Sequence, residues 1–214
     1  MNDGVRLPET LSRSVKSNFS FLLSRWLEAL PPAYAGITLA TCLDLPIESR
    51  QYGVRWATSL PTLSLYLYGP YGAGKTTYAI ALIREYLRHW TMSRYAWATW
   101  TSGRQLDIRL LEAIRGDGDR WLIERFSNEE LLYIDDVDKV SPTERYKSQF
   151  FEIINHRLMN LLPTILTSNC EPREMAHLFG GAVLSRIQDK STWQIVRFPD
   201  RDLRQMRGRL EMDR

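Results

Sequence analysis

A short glycine-rich segment of the sequence, GPYGAGKT, has the residue types and spacing needed to hold phosphates. It fits the pattern G-x-x-x-x-G-K-[ST], with Gly69, Gly74, Lys75 and Thr76 at the fixed positions. Glycines let such a loop wrap tightly, so that its backbone N–H groups and the start of the next helix face the phosphate oxygens. The lysine reaches the β- and γ-phosphates, and the threonine hydroxyl coordinates Mg²⁺. The segment therefore predicts a site for a nucleoside triphosphate with Mg²⁺.

A second segment, LLYIDDVD, ends an apolar run with the adjacent acids Asp135 and Asp136. An acid at the end of a buried strand can hold Mg²⁺ opposite Thr76, and we predict this role for Asp135. The neighbouring Asp136 can polarise an attacking water molecule. The alternative is that these acids cap a turn or a helix. For Asp138 we expect a solvent-facing position or such a cap.

A polar residue, Asn169, follows the apolar run of PTILTSN. Its amide can orient the same water molecule against the γ-phosphate, whereas the alternative is an ordinary asparagine in a turn. The residues that we predict to bind the nucleotide itself are Gly69, Gly72, Gly74, Lys75, Thr76 and Thr77.

These residues must be positioned by strands and helices, and the sequence alternates between patterns typical of each. Strands are predicted at TLSLYLYG, RYAWATWT, ELLYIDDVD, PTILTSN and TWQIVRFP. Helices are predicted at ESRQYGVRWATSL, KTTYAIALIREYLRHW, RQLDIRLLEAIRG, YKSQFFEIINHRLMNL, PREMAHLF and GAVLSRI. This alternation predicts an α/β fold of the P-loop NTPase type, with a five-stranded parallel sheet sandwiched by helices. The binding crevice of such a sheet lies beyond the carboxyl ends of its strands.

An amphipathic helix is predicted ahead of this domain. An apolar stripe at steps of three or four residues ends at Pro31 and Pro32 and comprises Leu11, Val15, Phe19, Leu22, Trp26 and Leu30. We therefore divide the chain into an N-terminal helix at residues 1–32 and an α/β domain at residues 33–214.

The composition excludes several other classes of protein. The chain has 214 residues, a net charge of +3 and 44% apolar residues, which is a globular profile. Cys42 and Cys170 are far apart, so a reducing compartment is expected and a zinc site is not. Neither a secretion signal nor an apolar run of about 18 residues is present, and we expect a protein of the cytoplasm, or its viral equivalent, without membrane contact.

The motifs together resemble the AAA+ ATPases, in the branch that contains DnaC-type helicase loaders and IstB-type transposition helpers. The likeness is carried by GPYGAGKT, by the Walker B strand LLYIDDVDK, by FFEIINHRLMNLLPTILTSN, by LFGGAVLSRIQDKSTWQIVRF and by the lead-in LPPAYAGITLATCLD. It covers about Pro31 to Arg204. The phosphate loop is common to many families, whereas the helix that leads into PTILTSN and the short helix ending in an arginine are more specific.

The resemblance implies roles for further residues. Asn169 matches the sensor-1 position, and Arg186 matches the arginine finger that enters the neighbouring subunit's site; a surface salt bridge is the alternative for Arg186. Arg204 matches sensor 2 in an uncertain register. Asp136 stands where many members have glutamate, which implies slow hydrolysis. Ten residues follow Arg204, so we expect a minimal or absent helical lid.

The function implied by the resemblance is that of an ATPase which works through partners. We expect slow ATP hydrolysis, stimulated by DNA or by self-association into a ring or spiral. The favoured interpretation is a helicase loader that binds a hexameric replicative helicase and single-stranded DNA during replication initiation. The alternatives are an IstB-like regulator of a transposase on duplex DNA and, in a different class, a P-loop kinase acting on a small molecule.

Two regions are candidates for partner contact. The N-terminal helix, with Phe19 and Trp26, is expected to dock on the helicase, and the alternative is that it packs on its own core. Arginines and tryptophans between the second strand and the Walker B strand are expected to contact DNA, and a solvated helix face with i,i+4 ion pairs is the alternative. These residues are Arg104, Arg109, Arg115, Arg120, Arg125, Trp100 and Trp121.

Overall fold

A parallel β-sheet forms the centre of the computed structural model, which describes residues 26, 30, 32–34, 36–42, 47–59, 63–90, 97–116, 118–119, 121–200 and 202–203. Within these residues the sheet has five strands, in the order β2-β3-β4-β1-β5. The strands are β1 (Ser64–Tyr68), β2 (Ala98–Ser102), β3 (Leu131–Asp135), β4 (Thr164–Ser168) and β5 (Trp193–Arg197). All neighbouring strands pair in parallel, which confirms the predicted fold.

Helices connect the strands, as parallel pairing requires. A 3₁₀ turn at Pro32–Tyr34 precedes them. The helices are α1 (Ile47–Thr58), α2 (Lys75–Trp90), α3 (Gly103–Arg115), α4 (Leu122–Asn128), α5 (Glu144–Met159), α6 (Met175–Phe179) and α7 (Gly181–Ile187). Within the described part of the chain, no helix is long and apolar enough to cross a membrane.

The sheet is covered on both faces because successive side chains of a strand point to opposite sides. In β1, Leu65 and Leu67 belong to a first core cluster with α1 and α2. Tyr66, between them, belongs to a second core cluster with α3 to α7. The apolar strands are thus buried on both sides, which explains why they read as continuous apolar runs rather than alternating ones.

Two residues of the predicted N-terminal helix pack on this domain. Trp26 and Leu30 are only 3% and 6% exposed and belong to the first core cluster. The hypothesis that Trp26 is presented to a helicase is therefore wrong, because this side chain is already covered by its own chain. Most of residues 1–32 lie outside the described residues, so the proposed domain boundary at residue 32 stays a prediction.

One helix, α4, is absent from the sequence prediction. It has seven residues, just under two helical turns, and its apolar pattern is limited to one pair four residues apart. Leu122 and Phe126 nevertheless anchor it in the second core cluster.

A buried arginine, Arg157, ties α4 to the turn before β4. Its side chain is 1% exposed. Nη1 donates to the carbonyls of Phe126 and Glu129 at 2.8 and 2.7 Å, and Nη2 donates to that of Pro163 at 2.7 Å. Nε donates to Thr164 Oγ1 at 2.8 Å. Burial lowers the pKa of Arg157 to about 9, which still leaves the guanidinium charged at neutral pH.

We expect Arg157→Met to lower the free energy of unfolding by about 3 kcal/mol or more, because each buried carbonyl left without a donor costs about 1–3 kcal/mol. Urea unfolding followed by circular dichroism measures this loss. The matched control is Arg145→Met on the exposed side of the same helix, which should change stability by less than about 0.5 kcal/mol. Equal stability of the two variants would contradict the structural role of Arg157.

Candidate functional site

The predicted site residues meet at the carboxyl edge of the sheet. The phosphate loop, residues 69–74, connects β1 to α2, Asp135 ends β3, and Asn169 follows β4. Because β3, β4 and β1 are neighbours in the sheet, these three positions lie side by side. This edge is where parallel sheets bind their ligands.

The phosphate loop has the backbone conformation that its glycines predict. Gly69, Gly72 and Gly74 have φ values of +148°, +73° and +93°, a region that other residues rarely adopt. A Cβ at Gly69 would lie 2.9 Å from the backbone oxygen of Phe198. The loop passes so close to the chain after β5 that a side chain there cannot be accommodated. Thr76 and Thr77 follow in the first turn of α2.

The loop encloses the side chain of Lys75, which is 6% exposed. Its Nζ donates to the carbonyls of Gly69 and Pro70 at 2.8 Å each and to Asn169 Oδ1 at 3.0 Å. Burial lowers the pKa of Lys75, and nearby carboxylates, Asp136 foremost, oppose this shift. A buried ammonium held only by neutral acceptors is poised to bind an anion, because phosphate oxygens are stronger acceptors for it.

Three hydroxyl groups converge on one oxygen of Asp135. Its Oδ1 accepts from Thr167 at 2.5 Å, from Tyr133 at 2.6 Å and from Thr76 at 2.9 Å. The carboxylate is therefore fixed in orientation beside the phosphate loop. Tyr133 and Thr167 were not among the predicted site residues, although a polar residue within an apolar strand is a usable signal.

The donor set of Thr76 and Asp135 fits Mg²⁺. Mg²⁺ prefers hard oxygen ligands and is usually held by one or two protein oxygens together with phosphates and water. The hydroxyl of Thr76 and the carboxylate of Asp135 are already in contact. Among the described residues there is no cluster of three or more His, Cys, Asp or Glu side chains that could hold a metal by themselves. The geometry thus suits a metal that arrives with a phosphate ligand.

Asp136 adopts a left-handed backbone conformation, with φ of +49°. Its N–H donates to Thr167 Oγ1 at 2.8 Å, so the same threonine hydroxyl holds both acids of the motif. Burial, followed by the negative charges of Asp135 and Asp138, raises the pKa of Asp136. A carboxylate with a raised pKa is a better proton acceptor, which is the property that a general base needs.

Asp138 is buried and contacts Asn169, so the expectation that it faces solvent is wrong. Its side chain is 6% exposed. Its Oδ1 accepts from the backbone N–H of Asn169 at 3.0 Å, and its Oδ2 accepts from Asn169 Nδ2 at 2.9 Å. Burial favours the neutral acid, but the hydrogen bonds from Asn169 outweigh it and lower the pKa of Asp138. Asp138 therefore remains ionised.

A lysine and a tyrosine lie at the exposed side of this network. Lys139 Nζ is 3.4 Å from Asp138 Oδ2 and forms a hydrogen bond with the hydroxyl of Tyr71. It also lies 4.1 Å from the centre of the Tyr71 ring, a cation–π distance. Tyr71, in the phosphate loop, is 63% exposed. Hydrogen bonds and ion pairs thus run without interruption from Lys75 through Asn169, Asp138 and Lys139 to Tyr71.

Arg186 lies on α7 and points toward α5, where its Nε donates to Asn155 Oδ1 at 2.9 Å. Within the described part of the chain, no hydrogen bond or ion pair joins Arg186 to the phosphate loop or to the acids of β3. The structure therefore does not bring Arg186 together with the other predicted catalytic residues of its own chain.

Arg204 lies outside the described residues, but the two residues before it reach the phosphate loop. The N–H of Leu203 donates to the carbonyl of Gly72 at 3.0 Å. A Cβ at Gly72 would lie 2.0 Å from Asp202 Oδ1. The chain leading to Arg204 thus packs directly on the loop.

The exposed face of α3 carries cations that begin at the same edge of the sheet. Arg104, Ile108, Arg109 and Arg115 are exposed, and Trp121 beyond the helix is 71% exposed. None of these three arginines forms an ion pair with any residue that the structure describes. The i,i+4 pairs of the alternative interpretation are therefore absent from this part of α3.

The structure does not place the other predicted DNA-contacting residues, Arg120, Arg125 and Trp100, in this exposed and unpaired set. Arg125 pairs with Asp119 at 3.0 Å, and Arg120 lies outside the described residues. Trp100 is half-buried against the first core cluster, so it is less suited to stacking on a base than Trp121.

Comparison with known proteins gives this arrangement a family. The family model of the bacterial DnaA ATPase domain matches residues 57–193. The chromosomal replication initiator protein DnaA of Deinococcus deserti is 26% identical over 132 residues, which are 62% of this chain and 27% of that protein. An ATP-binding protein of an insertion sequence in Mycobacterium tuberculosis is 32% identical over 122 residues, which are 57% of this chain and 47% of that protein. The matched segments thus span less than half of either relative.

Solved structures agree on the fold. The replication initiator DnaA bound to AMPPCP and single-stranded DNA superposes with a TM-score of 0.68 at 20% identity, covering 86% of this chain and 56% of that one. The DnaC helicase loader superposes with a TM-score of 0.68 at 18% identity, covering 79% of this chain and 100% of that one. DnaI superposes with a TM-score of 0.62 at 19% identity, covering 81% of this chain and 94% of that one.

The comparisons confirm the resemblance to helicase loaders and insertion-sequence ATPases and include the replication initiator DnaA among the similar proteins. The chain belongs to the bacterial DnaA ATPase domain family, within the AAA+ group of P-loop ATPases.

Proposed function

We propose that this chain is an ATP-dependent helicase loader that hydrolyses ATP slowly and assembles with further copies of itself. The observation that carries the ATPase part is the meeting of Lys75, the Thr76–Asp135 pair and Asn169 at one edge of the sheet. The loader part is supported by the likeness to DnaC, which extends over the whole of that chain. ATP and Mg²⁺ are the cofactors of this proposal.

ATP binding replaces the present acceptors of Lys75. The β- and γ-phosphate oxygens take the place of Asn169 Oδ1 and of the carbonyls of Gly69 and Pro70. Backbone N–H groups of the loop and the start of α2 bind the remaining phosphate oxygens. Thr76 and Asp135 would hold Mg²⁺, which would supply a positive charge that offsets negative charge on the phosphates.

Hydrolysis follows from the acids and the amide around this position. Asp136 accepts a proton from the attacking water, and Asn169 holds the water in line with the γ-phosphate. The water oxygen bonds to the γ-phosphorus while the bond to the oxygen of the leaving ADP breaks. Aspartate is one methylene shorter than glutamate, so the water is held less closely and we expect slow turnover.

Arg186 completes the site of a neighbouring copy in this proposal. Its Nε is held by Asn155, and it contacts none of the predicted catalytic residues of its own chain among those described. An arginine supplied by a neighbour neutralises charge on the transferred phosphoryl group and is worth about 10³–10⁵ in rate. Turnover should therefore rise with protein concentration or on DNA, where copies meet.

Two substitutions separate nucleotide binding from catalysis. We expect Lys75→Ala to abolish both ATP binding and turnover, because the buried cation is lost. We expect Arg186→Ala to lower turnover about 10³-fold while ATP affinity stays within about twofold. Fluorescence titration of a labelled nucleotide and phosphate release measure the two quantities.

The control for this experiment is Arg55→Ala, an exposed arginine in the last turn of α1. It should leave both quantities unchanged. Full turnover in Arg186→Ala at all protein concentrations would contradict the proposal that Arg186 completes the site of a neighbouring copy. Mixing Arg186→Ala with Lys75→Ala should restore part of the activity, since each supplies what the other lacks.

Single-stranded DNA is the nucleic acid that the α3 face fits best. Unpaired arginines can follow the phosphates, and the exposed Trp121 ring can stack on an unpaired base. The face begins at Gly103, directly after β2, so it starts at the nucleotide edge of the sheet. ATP-bound copies assembled side by side would place these faces in a row along the strand.

We expect binding of an oligo-dT strand to require ATP and to weaken steeply between about 50 and 200 mM salt. Arg109→Ala and Arg115→Ala should each reduce the salt slope by about 0.7, and Trp121→Ala should weaken binding by about 1–3 kcal/mol. Fluorescence anisotropy measures these changes, with Arg55→Ala as the control. Affinity that does not respond to salt would rule out this face.

A hexameric replicative helicase is the proposed protein partner, bound through residues 1–32. Because Trp26 and Leu30 are buried in the first core cluster, the earlier part of the stripe has to supply the contact. The transposase-regulating alternative is supported by the 32% identity to the M. tuberculosis insertion-sequence protein. The two differ in the DNA form, because a loader prefers single strands and a transposase regulator forms filaments on duplex DNA.

We expect the double variant Val15→Ala/Phe19→Ala to lose binding to the cognate hexameric helicase while ATP affinity is retained. Pull-down with the purified helicase measures the first property, and nucleotide titration measures the second. Ser17→Ala, on the opposite side of the predicted helix, is the control. Retained helicase binding together with duplex-DNA filaments would favour the transposase alternative.

A further inference from the structure

The amide of Asn169 is held in one orientation by two groups of opposite charge. Nδ2 and the backbone N–H donate to the two oxygens of Asp138, at 2.9 and 3.0 Å, and Oδ1 accepts from Lys75 Nζ at 3.0 Å. Rotating the amide by 180° would place its oxygen against a carboxylate and its NH₂ group against an ammonium. Both contacts would be repulsive, so the hydrogen-bond network itself fixes which end of the amide faces the phosphate loop.

We propose that Asp138 is a positioning residue for ATP hydrolysis, which fixes Asn169 so that the amide oxygen faces the reacting phosphate. This inference rests on the proposed ATPase function and deepens it. Asp138 is suited to the role because a carboxylate offers two acceptor oxygens and no donor. It therefore offers a separate oxygen to each N–H group of Asn169, whereas an asparagine would set its own NH₂ group against one of these donors and a serine has only one oxygen.

Asp138 is itself firmly held. Its side chain is 6% exposed, and Lys139 Nζ lies 3.4 Å from its Oδ2 on the solvent side. Lys139 in turn contacts the ring and hydroxyl of Tyr71 in the phosphate loop. The carboxylate thus has a cation on one side and two N–H donors on the other, so its position is determined from both directions.

The orientation decides what Asn169 does when ATP is bound. Lys75 then moves its hydrogen bonds to the phosphates, and Asn169 Oδ1 becomes a free acceptor beside the γ-phosphate. The attacking water donates one hydrogen bond to Oδ1 and one to Asp136. As its oxygen bonds to phosphorus, one proton passes to Asp136 and the other stays on the new phosphate oxygen. Asn169 therefore orients the water through its oxygen.

The test is Asp138→Asn, which preserves size but presents one acceptor where two donors must be bound. We expect kcat to fall about 10- to 100-fold, the scale of a misplaced catalytic group. KM for ATP and the affinity for AMPPCP should stay within about twofold, since the loop and Lys75 are unchanged. A purely structural role would instead weaken affinity together with kcat.

A double-mutant cycle identifies Asn169 as the residue through which Asp138 acts. If Asp138 only positions Asn169, Asp138→Asn/Asn169→Ala should turn over at the rate of Asn169→Ala alone. Additive losses would overturn the inference, as would wild-type kcat in Asp138→Asn. Glu144→Gln, at an exposed carboxylate on α5, is the matched control for a carboxylate-to-amide change and should keep wild-type kcat.

A second variant, Asn169→Asp, tests the positioning role of Asp138 if Asp138→Asn does not fold. Asn169→Asp still presents an oxygen to the site but sets its second oxygen against the carboxylate of Asp138. We expect it to turn over no faster than Asn169→Ala, and wild-type turnover would overturn the inference. The proposed function is tested separately by Lys75→Ala: if the wild-type protein shows no turnover that Lys75→Ala abolishes, the ATPase proposal fails, and the inference fails with it.

Discussion

The buried ammonium of Lys75 is the charge around which the carboxyl edge of the sheet is arranged. Removing a cation from water is costly unless acceptors surround it, and here two loop carbonyls and the amide of Asn169 do so. The carbonyls require the tight glycine loop, and the amide requires β4 to lie next to β1. Sheet order, loop conformation and the position of Asn169 therefore all contribute to holding this one cation.

Three carboxylates near Lys75 oppose its positive charge, and each of them is held differently. Asp135 is fixed by three hydroxyls, Asp136 is partly buried with a raised pKa, and Asp138 stays ionised because Asn169 donates to it twice. Three aspartates within four residues thus have three different environments. Thr167 contacts Asp135 and Asp136 in different ways. Its hydroxyl donates to the carboxylate of Asp135 and accepts from the backbone N–H of Asp136.

The fold and the central site could be predicted from sequence because their signals are local. In the phosphate loop each residue acts with neighbours a few positions away, and alternating strands and helices imply a parallel sheet. The contact of Asp138 with Asn169 joins residues 31 positions apart in two loops, where strand alternation no longer fixes side-chain direction. An apolar stripe such as that of Trp26 and Leu30 likewise predicts burial without saying which surface covers it.

The contact of Leu203 with the carbonyl of Gly72 links the glycine loop to the chain that leaves the sheet after β5. Asp202 lies against the same glycine, so the loop is packed on one side by the chain that follows β5. The loop and the chain after β5 are thus mechanically coupled, so neither can shift without the other following.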